Sequence, residues 1–221
     1  MENVIELKNV NKRFNGFELK DFSVSVKKGY VTGFIGGNGV GKSTVIKLIM
    51  NILKPDSGQL KVFGLDYNRH EKEIKQRIGF VYDEGVFYDH LTLLEMKKII
   101  KPAYQNWDDE LFRQYVESFQ LPLHKKLGTF SKGMAMKASL ALALSHHAEL
   151  IIMDEPTSGL DPIFRRELLD LLHDLMQDGE KTIFFSTHIT TDLEKIADYI
   201  TFIHNGQHIF TSESYKIQEK Y

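Results

Sequence analysis

The residues with the clearest chemistry form one run: Gly36-Gly37-Asn38-Gly39-Val40-Gly41-Lys42-Ser43-Thr44. It fits the spacing G-x-x-x-x-G-K-[ST], and its chemistry is that of a phosphate cradle. Its glycines let the backbone curl so that successive N–H groups face an anion. A helix starting at Lys42 would add the partial positive charge of its N-terminus. Lys42 supplies a point charge for β- and γ-phosphates, and Ser43 a hydroxyl for Mg²⁺. A second group lies at Asp154-Glu155, directly after the apolar run Leu150-Ile151-Ile152-Met153. A buried strand would carry both carboxylates to its C-terminal end, where open α/β sheets bind ligands. Asp154 would hold Mg²⁺, directly or through water. Glu155 would position or deprotonate an attacking water.

These groups need a scaffold, and the surrounding pattern describes one. Tyr30–Ile35 reads as a short buried strand before the loop. After it, Val45, Ile46, Ile49, Ile52 and Leu53 share one face of a helix from about Lys42 to Leu53, stopped by Pro55 and Asp56-Ser57-Gly58. Upstream, strand-like segments flank the turn dipeptide Asn15-Gly16, and Phe22, Val24 and Val26 alternate. Residues 59–82 read as short strands, including Ile78–Tyr82. From about 90 to 146 the pattern is mostly helical, with breaks at Pro102, Pro122 and Gly128. Then follow strand Leu150–Met153, a helix bearing Leu168, Leu171, Leu172 and Leu175, strand Thr182–Ser186, a short helix over 190–197 and a hairpin turning at Asn205-Gly206. Short strands alternating with helices imply a parallel sheet covered on both faces.

Composition sets outer limits. The 221 residues suffice for one domain with a sizeable core. The net charge, 28 − 30 = −2, argues against a dominant polyanion-binding surface, and no nucleic-acid partner is expected. Without cysteine there are no disulfides or thiolate metal sites. No apolar run approaches membrane-spanning length and no signal peptide is visible, so any membrane role must run through a partner. The pairs His146-His147 and His204/His208 lack metal-ligand spacing.

Taken together, the chain resembles the ATP-binding cassette (ABC) family along nearly its whole length. Phe130-Ser131-Lys132-Gly133-Met134 is similar to the family signature, Leu-Ser-Gly-Gly-Gln, and precedes the Asp154 strand as in that family. The resemblance implies that Ser131 and Gly133 contact the γ-phosphate of ATP held by the other subunit of a dimer. Ser158-Gly159-Leu160-Asp161 resembles the D-loop, and His188, in Ser-Thr-His, the switch histidine that contacts the γ-phosphate. Phe14 stands where the family places an adenine-stacking aromatic. Two departures mark this sequence. The Q-loop position holds Asp83 instead of Gln, which puts its role toward Mg²⁺ in question, with Glu84 beside it. The signature carries Lys132 and Met134 in place of Gly and Gln, a form resembling the ABC-2-type branch of antibiotic and peptide exporters. Members of that branch commonly carry a C-terminal extension, and this sequence stops soon after its last hairpin.

The resemblance implies a P-loop NTPase (RecA-like) α/β fold, in one domain spanning 1–221. Its nucleotide-binding core, with an antiparallel β part, would take about 1–84 and 147–221, and a helical subdomain with the signature about 85–146. It further implies Mg²⁺-dependent ATP hydrolysis with Lys42, Glu155 and His188 as catalytic groups. The partners implied are a second ATPase subunit, identical or not, and a separate integral-membrane chain that would hold this one on the cytoplasmic face. Tyr82, Phe87 and Tyr88 are expected on the surface that meets that chain. A non-transport ABC ATPase and a nucleotide-gated module without turnover are the alternative readings.

Overall fold

In the computed structural model, residues 2–81, 88–177 and 179–218 are described. The chain opens with antiparallel strands β1 (Asn3–Phe14) and β2 (Phe17–Lys27), joined at Asn15-Gly16, with Phe14 opposite Phe17. Strand β3 (Val31–Ile35) follows, then helix α1 (Lys42–Ile49) and strand β4 (Ser57–Val62). Helix α2 (Tyr67–Gln76) leads into β5 (Ile78–Val81). Helices α3 (Leu93–Ile100), α4 (Asp109–Ser118) and α5 (Lys132–Leu144) come between β5 and β6 (Leu150–Asp154). Pro102 sits in a 3-10 turn after α3, and Gly128 in another before α5. The chain continues through α6 (Pro162–Leu175), β7 (Thr182–Thr187), α7 (Thr190–Ile196), the hairpin β8 (Tyr199–His204) and β9 (Gln207–Glu213), and α8 (Ser214–Gln218).

Two sheets result. One is antiparallel, in the order β2-β1-β4; the other has the order β5-β6-β7-β3-β8-β9, parallel except for β9. Alternate residues of β6 and β7 serve two apolar cores. Ile151, Met153, Ile183 and Phe185 pack with the α5, α6 and α7 side, whereas Leu150, Ile152 and Phe184 pack with α1 and the antiparallel sheet. Both faces being covered explains why these strands read as unbroken apolar runs.

Two expectations fail locally. Residues 59–82 are not all strand: α2 occupies Tyr67–Gln76, capped by the Asp66 side chain accepting from Asn68 N at 2.7 Å. Only Tyr67 and Ile74 are buried on it, so no apolar stripe announces a helix. Helix α1 ends at Ile49 instead of Leu53, because Asn51 turns left-handed (φ 55°) and the N–H groups of Ile52 and Leu53 fold back onto Lys47 O. Among the described residues no helix is long and apolar enough to cross a membrane.

Candidate active site

The phosphate loop fills the turn from β3 to α1. Gly41 caps α1 with φ 112°, and a Cβ there would come within 2.6 Å of the Phe17 ring, so only glycine fits. Val40 points into the core, and its carbonyl accepts from Gly206 N at 3.0 Å, which ties the loop to the β8–β9 turn. Around the loop lies a cavity of about 270 Å³, bounded by Gly37, Asn38, Gly39, Gly41, Lys42, Ser43, Thr44, Phe17 and Glu155. Gly36 sits at the loop's base, packed so closely on Ile203 and Val40 that a Cβ would meet Ile203 O at 2.7 Å.

Lys42 is only 6% exposed. Its ammonium donates to Gly36 O at 2.7 Å and Gly37 O at 3.0 Å and pairs with Glu155 Oε1 at 3.0 Å. An ammonium has three donors, so each has an acceptor. The other oxygen of Glu155, Oε2, accepts from His188 Nδ1 at 2.8 Å. A carboxylate only accepts, so Nδ1 is the protonated nitrogen. Lys42, Glu155 and His188 thus form one hydrogen-bonded chain across the C-terminal ends of β3, β6 and β7.

Glu155 has φ 49°, left-handed for a non-glycine residue, and it precedes Pro156, a setting that favours extended backbone. Such strain costs on the order of 1–3 kcal/mol and persists only where neighbours impose it. Ser186 on β7 is one of them: its hydroxyl accepts from Glu155 N at 3.0 Å and donates to Asp154 Oδ1 at 2.5 Å. One buried serine therefore holds the Asp154 carboxylate and the Glu155 backbone together. Nothing in its spacing announced that; the sign was its place two residues before His188 on an adjacent strand. Phe17 was also missed. The cavity is walled by Phe17, while Phe14 is 39% exposed one turn away, ring centroids 6.3 Å apart. The two-residue turn that places Phe14 opposite Phe17 was the available signal.

Ser131, Gly133 and Asp161 stand apart from this cavity's walls. Ser131 caps α5, accepting from Met134 N at 3.2 Å. Gly133 lies under Phe164 of α6, where a Cβ would be 2.8 Å from the ring. Asp161 caps α6, accepting from Ile163 N at 3.1 Å and Phe164 N at 3.0 Å. The signature and D-loop segments are thus packed on each other and not on their own phosphate loop. Asp83, Glu84, Tyr82 and Phe87 lie outside the described residues; Tyr88 is exposed.

Comparison with known proteins agrees with this geometry. The family model for ABC transporters matches residues 19–158. The bacitracin transport ATP-binding protein BcrA of Bacillus licheniformis is 37% identical over 212 residues, covering 94% of this chain and 69% of the relative. BcrA of Enterococcus faecalis is 31% identical over 227 residues, covering 100% and 74%. A solved ATP-binding subunit of an ABC transporter superposes with TM-score 0.86 at 26% identity, covering 98% of this chain and 92% of that one. A nucleotide-free ATP-binding cassette gives TM-score 0.85 at 25% identity, covering 99% and 94%. By sequence, fold and site, the chain belongs to the ABC transporter family, as one of its ATP-binding subunits.

Proposed function

We propose that the chain hydrolyses ATP with Mg²⁺ as the motor subunit of an exporter. It would close with a second ATPase subunit around nucleotide and drive a separate membrane chain from the cytoplasmic face. The observation that carries this reading is the Lys42–Glu155–His188 chain at the mouth of the phosphate loop. Phosphate oxygens entering the cavity compete with Glu155 Oε1 for the Lys42 ammonium, since that ammonium has no donor left over. Displaced from Lys42, Glu155 keeps its bond to His188 and can orient a water for in-line attack. His188, half-exposed beside it, would reach the same phosphate. Coupling substrate entry to release of the base means that the carboxylate is engaged until phosphate arrives.

The donor set suits Mg²⁺. Ser43 lines the cavity, and Asp154, steadied by Ser186, ends β6, separated from β3 by β7 alone. Few protein oxygens completed by substrate phosphates is the arrangement this ion favours. When bound, Mg²⁺ would neutralise charge developing on the phosphates. Ser131 and Gly133, facing away from their own phosphate loop, would complete the partner's site. The helical segment of about 85–146 would present the signature as a subdomain. Export is supported by the signature form and by similarity to the two bacitracin transport ATP-binding proteins.

The test is Glu155→Gln in the purified chain. Turnover should fall by about 10²–10⁴. Nucleotide affinity should hold or rise, because the charged competitor for Lys42 is gone. Turnover within twofold of the unaltered chain would overturn the reading.

A further inference from the structure

Glu155 and His188 meet from different strands, and each is followed by a turn that leaves the sheet. Ser186 of β7 holds the start of the first turn at Glu155 N, and the segments beyond Glu155 and His188 need a further tie. Asp192, four residues past His188 in the first turn of α7, provides it. It is 1% exposed. A buried carboxylate is tolerated when its oxygens are paired and hydrogen-bonded. Oδ2 accepts from Thr157 Oγ1 at 2.6 Å, and Oδ1 accepts from Arg165 Nε at 2.7 Å with the NH2 nitrogen at 2.6 Å. The same guanidinium donates to Thr191 Oγ1 at 2.8 Å.

Thr157 is buried and lies two residues after Glu155. The two turns are therefore joined at both ends. His188 Nδ1 meets Glu155 Oε2 at one end, and Thr157 Oγ1 meets Asp192 Oδ2 at the other. Arg165 lies four residues beyond Asp161, so one carboxylate also anchors the far side of the turn that carries the D-loop. The left-handed backbone of Glu155 needs restraint on both sides. Ser186 holds its N–H; the Thr157–Asp192 bond holds the chain beyond it.

We infer that Asp192, acting through Thr157 and Arg165, is a positioning residue for ATP hydrolysis, setting Glu155 and His188 in register with each other and with the D-loop. The inference rests on the ATPase reading above. Small displacements of reacting groups cost large factors in rate. The tether therefore bears on turnover more than on nucleotide binding, since Lys42 and the loop glycines lie outside it.

Thr157→Val is the discriminating variant. It is nearly isosteric and leaves the Asp192–Arg165 pair in place. We expect kcat for ATP to fall about 10-fold with ADP affinity changed less than twofold, and Thr157→Ser to restore most of the rate. Hydrogen exchange gives a readout independent of activity. In Thr157→Val, amides of both 155–161 and 188–192 should exchange faster, although the substitution lies in only one segment. A folded Thr157→Val with unchanged kcat would overturn the inference. So would parallel loss of kcat and ADP affinity with no recovery in Thr157→Ser, or faster exchange confined to 155–161. If the unaltered chain shows no ATPase activity, the proposed function fails, and the exchange result still decides the tether.

Discussion

The phosphate-loop and signature regions of this chain are wired differently. On the phosphate-loop side, Lys42 is buried and its ammonium is shared among Gly36 O, Gly37 O and Glu155. On the signature side, Ser131 is exposed and its hydroxyl accepts one local bond, from Met134 N. One region is organised by the fold around internal charge. The other is a helix N-terminus presented outward, with Gly133 backed by Phe164. Under the proposed function, the contrast separates the part of a shared site that a single chain completes alone from the part that waits for a partner. Charge must be pre-arranged inside, because desolvated charges need partners at once. A polar cap can wait for its ligand in water.

The strongest way to break this contrast is to spoil each side separately. Lys42→Ala should cost about 10²–10³ in turnover, the usual weight of one aimed donor in a water-poor site. Ser131→Arg should be nearly inactive as well, yet bind ADP as the unaltered chain does, because Ser131 does not line its own cavity. Mixing the two after confirmed subunit exchange should restore ATPase activity above either alone, since one interface then pairs an intact loop with an intact cap. Loss of ADP binding in Ser131→Arg would mean that the two sides are not independent.

How much of this could be read from the sequence depended on how local the signal was. The phosphate loop, the Asp154-Glu155 pair and both Asn-Gly hairpins are set by adjacent residues, and the structure brings Lys42 and His188 each within hydrogen-bond reach of Glu155. Helix α2 was illegible because two buried residues in ten leave no stripe. Ser186, Phe17, Thr157 and Asp192 act across strands, through pairings such as Asp154 opposite Ser186 that no spacing encodes. Departures from the family pattern divided similarly. Lys132, replacing a glycine of the usual signature, has its Nζ only 3.1 Å from where a Gly159 Cβ would lie, so it reaches over the D-loop.

A further test sharpens the boundary between the inserted helices and the parallel sheet. His146, just past α5, is buried, donates from Nε2 to Ile78 O at 3.1 Å and stacks on Tyr104 at 3.7 Å. Burial pushes its imidazole from 6.5 down to about 4; hydrogen bonds to backbone carbonyls oppose that and the nearby His147 adds to it. The native state thus keeps His146 neutral where the unfolded chain takes up a proton. Its contribution is full above pH 6.5 and is lost as pH falls towards 4, by up to about 3 kcal/mol. Urea midpoints measured across this window should show the loss, and His146→Phe, which keeps the stack, should flatten it. An unchanged slope in the variant would move the pH dependence elsewhere.

Gly133→Ala probes the outward region at its base. The added methyl would sit 2.8 Å from the Phe164 ring, and overpacking of this kind costs about 1–3 kcal/mol. If the ring is the obstacle, Phe164→Leu in the same chain should recover part of the stability and of the turnover, with ADP affinity constant throughout. Recovery of neither would assign the defect to the α5 backbone.

The smallest effect concerns what holds the signature helix to the D-loop helix at the surface. Lys137 Nζ pairs with Glu167 Oε2 at 3.0 Å and lies 4.8 Å from the centroid of the Phe164 ring. Glu167 is more than half exposed, so water screens the pair and side-chain ordering offsets much of its gain. The lysine retains its place over the ring when the carboxylate is removed, an interaction worth about 0.5–1 kcal/mol by itself. Glu167→Gln should therefore change stability by less than about 1 kcal/mol and turnover by less than twofold. If Glu167→Gln instead lowered turnover as far as Ser131→Arg does, the signature side would be internally wired after all, and the contrast between the two regions would collapse.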